Sequence, residues 1–405
     1  MASTNRNLHT EMDKTKKYTF LAETTPHLAT ILGFPSRCST FPALYTRTCT
    51  EIIDLACTIA AFEPVRLHVR PEDLSKAQTL ISQHLEISSI RDKPAQSSNI
   101  TIIPVATNHC WVRDTGPVYV RSLEHPHQRF AIDFRFCEWG NKIEELLYNN
   151  SVDKEAALAE EGINWPIMDL TRREENTLFA RRVLEIENQD QITGHSPVTR
   201  VESSVRLEGG GIEMDGEGTF MAAESSVLVP SRNEGLSRED VEAELTRLLG
   251  IKKFIWIPGR EGLDITDCHI DAEARFVRPG VVVVCKPHAK CKAVWWDIYH
   301  EAREILDAAI DAQGRRLQVY DIEEPDPDLV KGDVAGEEDG PAASYVNFYF
   351  VNGGLVIPAF GDIEADMKAL EIMKSLVPER EVRQVAVNAL PRTGGVLHCT
   401  TQQVL

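Results

Sequence analysis

Four short stretches of the chain set reactive side chains beside turn residues. Gly394-Gly395-Val396-Leu397-His398-Cys399 delivers a thiol a few residues after a pair of glycines. Such a cysteine can serve as a nucleophile if it faces a cavity, whereas one packed in a core is inert. Asp267-Cys268-His269-Ile270-Asp271 offers a base and a carboxylate two residues apart, a spacing that puts both on one side of an extended segment. Trp111-Val112-Arg113-Asp114-Thr115-Gly116-Pro117 and Glu208-Gly209-Gly210-Gly211 each offer one acid. Each stretch alone has an ordinary explanation: a turn aspartate, a surface glutamate, a structural histidine or a buried thiol. Together they supply a nucleophile, a base and three carboxylates at turn positions, where catalytic sites concentrate. His398 adjoins the thiol, but neighbours on a strand point to opposite faces. The base for Cys399 is therefore expected from elsewhere in the chain.

The elements that must carry these stretches recur. A helical spacing at 51–62 precedes a strand at 64–69, a helix opening at Pro71 and a buried strand at 99–105. A strand pair is expected at 118–120 and 130–136, helices over 152–186, and a surface connection over 187–204. Asp215-Gly216 marks a hairpin turn before a strand at 219–229. Ser237-Arg238-Glu239-Asp240 has the form of a capping box, with aspartate in place of glutamate, and opens a helix to Leu249. Further strands are read at 254–256, 281–284, 317–322 and 381–387, with two more in 345–358 around Asn352-Gly353-Gly354. Helices are read over 295–312 and from Asp362 to 376, and an acidic loop over 322–341. This strand, strand, helix, strand order predicts a repeated α/β module, with no linker dividing the chain. The expected organisation is a flexible tail over 1–17 and one catalytic domain over 18–405.

Composition narrows the partners. The chain has 405 residues and a formal net charge of −19, which disfavours nucleic acid and favours cationic partners. Met1 to Lys17 is polar, so neither a secretory leader nor a membrane span is expected. Nine cysteines without CxxC pairs suggest reduced thiols in the cytoplasm. His109-Cys110, Cys268-His269 and His398-Cys399 raise zinc, but their spacing matches no standard framework, and no metal or organic cofactor is expected. No phosphate-binding glycine motif is present. A homo-oligomer is left open.

The motifs also occur in a recognisable order. To the four stretches above are added Asn347-Phe348-Tyr349, Phe360-Gly361-Asp362 and the run through Thr400-Thr401-Gln402-Gln403. From about Leu21 to Gln403 the chain resembles the agmatine deiminase and bacterial-type peptidylarginine deiminase family, within the guanidine-modifying superfamily. The resemblance implies a pentein fold, a five-bladed α/β propeller with pseudo-fivefold symmetry and a central active site. It implies Cys399 as nucleophile, His269 as general acid and base, and Asp114 and Asp271 as the carboxylates that grip a guanidinium. Glu208 would partner the histidine, and Trp111, Trp139 and Lys142 would contact the substrate. The implied reaction is hydrolysis of a guanidinium, with agmatine as leading substrate and peptidyl-arginine as the close alternative. A Cys-His-acid protease or amidase, or a binding protein of the same fold without turnover, are the rival readings. Cys268 and Cys137 depart from the glycine and asparagine expected there, as do Ala272-Glu273-Ala274-Arg275 and Val396-Leu397 from the usual family sequence.

Overall fold

The computed structural model describes residues 10–11, 17–37, 39–40, 42–90, 99–141, 173–189, 196–330 and 342–405. These residues form a mixed α/β structure with five separate sheets. The same order builds each sheet. An inner strand pairs antiparallel with a second strand, and the second pairs parallel with a third. A parallel pair needs a crossover, and a helical crossover stands between the second and third strands each time. Thr219–Ala223 is followed by the helix Arg238–Leu249 and then Lys253–Ile257. Val281–Lys286 leads through Ala293–Ala308 to Gln318–Glu323. Gly354–Ala359 leads through Ile363–Leu376 to Glu381–Ala386.

Apolar runs explain the layering. Val281 to Cys285 are all buried, as a strand covered on both faces requires. Tyr299, Ala302 and Leu306, spaced for one face of the helix Ala293–Ala308, pack on Val282 and Val284. The capping box forms as its sequence suggests. Ser237 Oγ accepts from Asp240 N at 3.2 Å, and Asp240 Oδ2 accepts from Ser237 N at 3.0 Å. Asp362 caps the helix Ile363–Leu376 by accepting from Ala365 N.

Several elements differ from the sequence expectation. The connection read over 187–204 contains a strand, Val198–Glu202, whose mixed exposure hides it from an apolar-run criterion. The strand at Ile100–Pro104 lies at the outside of its sheet and is only partly buried: Ile103 is covered, whereas Thr101 and Pro104 are exposed. The strand expected to run to Val229 stops at Ala223 and turns into the helix Glu224–Val227. Within the stretch read as a tail, Thr10–Glu11 pairs with Arg200 and Val201. The helices expected from 152 fall partly outside the described residues; Arg173–Thr177 and Phe179–Glu187 are helical. Among the described residues no helix is long and apolar enough to cross a membrane.

One sheet is assembled from distant parts of the chain. Its inner strand, Thr401–Val404, pairs antiparallel with Ala29–Gly33, which pairs parallel with Val65–Val69. The residues that flank Cys399 are thus seated against a strand near the other end of the sequence.

Candidate active site

Each of the five inner strands is preceded by a single turn, and these turns carry the candidate residues. Asp114 lies in the helical turn Val112–Thr115 before Val118–Ser122. Glu208 precedes the turn Gly209–Gly211 and the strand Glu213–Met214. His269 is the N-cap of Ile270–Glu273, which contains Asp271 and leads into Ala274–Arg278. Asn347 precedes Tyr349–Val351. Cys399 sits in the 3-10 turn His398–Thr400, just before Thr401–Val404. Cys399 is therefore not on a strand, and the opposite-faces argument for His398 does not apply. His269 and Asp271 converge through a helical turn rather than along an extended segment.

Hydrogen bonds link the turns in a cycle. Gly210 N donates to Asp114 Oδ1 at 2.9 Å. His269 Nε2 lies 3.3 Å from Glu208 Oε2. Asn347 Nδ2 donates to the Asp271 carbonyl at 3.2 Å, and Asn347 Oδ1 accepts from His398 N at 2.9 Å. Arg113 Nε donates to the His398 carbonyl at 3.3 Å, which returns to the first turn. Asn347 also donates to Cys399 Sγ at 3.3 Å, a contact suited to a thiolate.

The five expected catalytic residues come together. Asp271 Oδ2 lies 3.6 Å from Cys399 Sγ, and Asp114 Oδ1 lies 3.8 Å from His269 Nδ1. A Cβ at Gly210 would stand 2.7 Å from His269 Nδ1, 2.8 Å from Asp114 Oδ1 and 3.0 Å from Asp271 Oδ2. Any larger residue there would occupy the space those three groups share. Trp139 Nε1 donates to Asp114 Oδ2 at 2.9 Å and fixes that carboxylate. Trp111 flanks the thiol: its ring and Cys399 Sγ both crowd the Cβ position of Gly395. Lys142 lies outside the described residues.

Burial and charge set the ionisation. Burial pulls His269 down, but the Asp114 charge and the Glu208 contact outweigh it and raise it to about 9. Burial pushes Glu208 up, yet Arg232 and His269 hold it below its usual range. Burial also pushes Asp271 up, and the hydrogen bond and charge of His398 reverse this and lower it. Asp114 ends raised, chiefly by burial, with Asp271 and Glu208 adding to it against His269. The Cys399 thiol is pushed well up, first by burial and then by the Asp271 and Asp114 charges. Asp271 Oδ1 is buried with no hydrogen-bond partner, an acceptor that a donor-rich cation would satisfy.

Sequence reasoning missed several supports. Buried Arg232 binds Glu208 through Nε at 3.1 and 2.8 Å and Asp267 through Nη1 at 2.6 Å. Asn347 was visible only as part of a motif. Glu23 and Arg275 carry no local signal for their role behind the site. Among the described residues no group of three His, Cys, Asp or Glu side chains is arranged to hold a metal, and none of the described cysteines is paired.

The two cysteine departures have distinct settings. Cys137 is buried, and its thiol is pushed up by burial and the Glu208 charge. Cys268 has φ 66°, in the left-handed region that favours glycine. Its side chain is buried and reaches the Arg260 carbonyl at 3.6 Å. Cys268→Gly should therefore relieve roughly 1–2 kcal/mol of backbone strain and forfeit a similar amount in lost burial and added unfolded-chain freedom. Turnover should be retained or raised, with an unchanged urea midpoint. Cys268→Val, β-branched at positive φ, should lower that midpoint clearly.

The chain has relatives among known proteins. The family model described as Porphyromonas-type peptidyl-arginine deiminase matches residues 19–404. The chain is 32% identical to the agmatine deiminase of Stutzerimonas stutzeri, over 95% of each sequence. It is 28% identical to the agmatine deiminase of Medicago truncatula, over 94% of this chain and 95% of that one. Among solved structures, the agmatine deiminase of Enterococcus faecalis superposes with a TM-score of 0.77 at 23% identity, covering 98% of this chain and 99% of that one.

Proposed function

The chain belongs to the Porphyromonas-type peptidyl-arginine deiminase family, and from that membership we propose that it hydrolyses agmatine to N-carbamoylputrescine and ammonia. It is a hydrolase acting on a C–N bond. The observation that carries the guanidinium reading is the pair of buried carboxylates, Asp114 and Asp271, beside Cys399, with Asp271 Oδ1 unpartnered. Relatives named agmatine deiminase support the choice of substrate.

The chemistry follows from the charges. A guanidinium stays protonated and presents its N–H donors in a plane, so carboxylates can receive it in paired hydrogen bonds. Its charge offsets the two carboxylates that hold the thiol neutral, and Cys399 ionises, releasing its proton to water. The thiolate attacks the central carbon. His269 gives its proton to the departing nitrogen, so ammonia leaves and a covalent thiouronium remains. Neutral His269 then takes a proton from water as the oxygen bonds to carbon. The C–S bond breaks, the product keeps the C=O, and the thiol is restored. Asp114, Asp271 and Glu208 hold charge throughout; Trp111 and Trp139 line and brace the pocket.

We infer too that residues 18–405 form one catalytic domain and that its five sheets are the blades of a five-bladed propeller. The recurrence of one strand, strand, helix, strand unit supports this. A cytoplasmic setting is supported by the described cysteines, none of which is paired. The test is ammonia release from agmatine, free arginine and an arginyl peptide at equal concentrations. Agmatine should have the highest kcat/KM. A higher value for the arginyl peptide would move the assignment to the peptidyl-arginine activity.

A further inference from the structure

His398 has a place in the structure that the catalytic reading does not use. It is buried, and both ring nitrogens face carboxylates: Nδ1 lies 2.7 Å from Asp271 Oδ2, and Nε2 lies 2.9 Å from Glu23 Oε2. A neutral imidazole has one N–H and one lone pair. Against two ionised carboxylates the lone pair would meet an acceptor, so only the doubly protonated ring makes both contacts favourable. Asp271 Oδ2 is thereby held in place, and its other oxygen is left without a partner.

We propose that His398 is a positioning residue for the deiminase reaction: a buried imidazolium that bridges Glu23 and Asp271, keeps Asp271 ionised, and orients its free oxygen toward the substrate guanidinium. It touches no reacting atom and acts through Asp271.

The groups packed around the bridge fit this role. Glu23 is anchored by Arg275 Nη2 at 2.6 Å, from the strand Ala274–Arg278, and lies 3.7 Å from Arg113 Nη2, from the turn Val112–Thr115. Glu213 faces the same Arg275 at 3.3 Å. On the substrate side, Asp271 faces His269, Asp114 and Cys399, while Glu208 is paired with Arg232. Burial pushes Glu23 up, but Arg275 and His398 hold it well below its usual range. His398, Arg275, Arg113 and His269 thus stand among Glu23, Glu213, Asp271 and Asp114. Removing the charge of His398 leaves the carboxylates in excess, and Asp271 is the one that meets substrate.

This rests on the deiminase reading, and its test separates the two. Agmatine hydrolysis by the unaltered protein decides that reading alone. The state of the ring is then read without turnover, in protein labelled with nitrogen-15 histidine, with the His398 ring assigned through its own backbone and sequence neighbours. Both ring nitrogens should carry protons at pH 7; one unprotonated nitrogen there overturns the proposal. In His398→Gln, a polar contact survives without the charge. The acid limb of kcat/KM for agmatine should move up by about one pH unit or more, and KM should rise about 10-fold or more with a smaller fall in kcat. A variant that is less stable in urea but keeps the acid limb and KM of the parent would make His398 merely structural. Should His398→Gln fail to fold, the ring protonation of the unaltered protein still decides.

Discussion

Cys399→Ser is expected to lower kcat/KM for agmatine by at least about 10³-fold while the protein stays folded. The thiol already sits in a setting that resists ionisation, because burial and the Asp271 and Asp114 charges all push it up. In the proposed mechanism the approach of the guanidinium cation makes the thiolate accessible. A hydroxyl starts far higher on the acidity scale, so the same cation cannot bring it into range. Serine is close to cysteine in size, and the Asn347 amide can still donate to it, so the turn His398–Thr400 should persist. Ammonia release and a urea midpoint on the same preparation check both halves. Near-parental turnover by a folded Cys399→Ser protein would remove Cys399 from the mechanism.

Asp114→Asn and Asp271→Asn should each reduce kcat/KM for every guanidine compound that the parent turns over. A charge-assisted hydrogen bond lost in a desolvated site costs roughly 1.5–3 kcal/mol, which is about 10- to 150-fold in rate. The surroundings argue for the upper part of that range. Both Asp114 oxygens already accept from the protein, one from Gly210 N and one from Trp139 Nε1. An asparagine must therefore turn its NH2 toward one of those donors. In Asp271→Asn the NH2 replaces either the oxygen that faces His398 Nδ1 or the one left free for the incoming cation, which is itself a donor. A protease or amidase acting on a neutral carbonyl needs no such pair and would tolerate one of the two changes. Steady-state kinetics on agmatine decide the matter: if either variant keeps its kcat/KM, the two-carboxylate model would be falsified.

The turn positions of the candidate site residues were legible because turn chemistry is local. Gly-Pro after Asp114, three glycines after Glu208 and two glycines before Cys399 mark breaks in regular structure from sequence alone. The all-valine strand and the Ser237 capping box were readable for the same reason. The form of each turn was not. One 3-10 turn separates Cys399 from its strand, and its stabilising bonds to Asn347 come from a segment far away in sequence. The supporting charges were hidden by the same distance. Glu23 and His398 are 375 positions apart and meet only once the sheets are assembled. Nothing local to Arg232 signals its pairing with two buried carboxylates. The strand Val198–Glu202 was missed because its sheet position, not its composition, makes it a strand.

The pairing of Thr401–Val404 with Ala29–Gly33 imposes an order on how activity can arise during synthesis. The ribosome makes the receiving strand before the strand that follows Cys399, the proposed nucleophile. Until the late strand docks, one edge of Ala29–Gly33 has no antiparallel neighbour, and Asp114, Glu208 and His269 have no thiol among them. Closing so long a stretch is slow compared with forming local contacts. A nascent chain can thus carry nearly every residue of the site and still be chemically silent. With Cys399 as the proposed nucleophile, reactivity would be conferred only at that contact between distant strands.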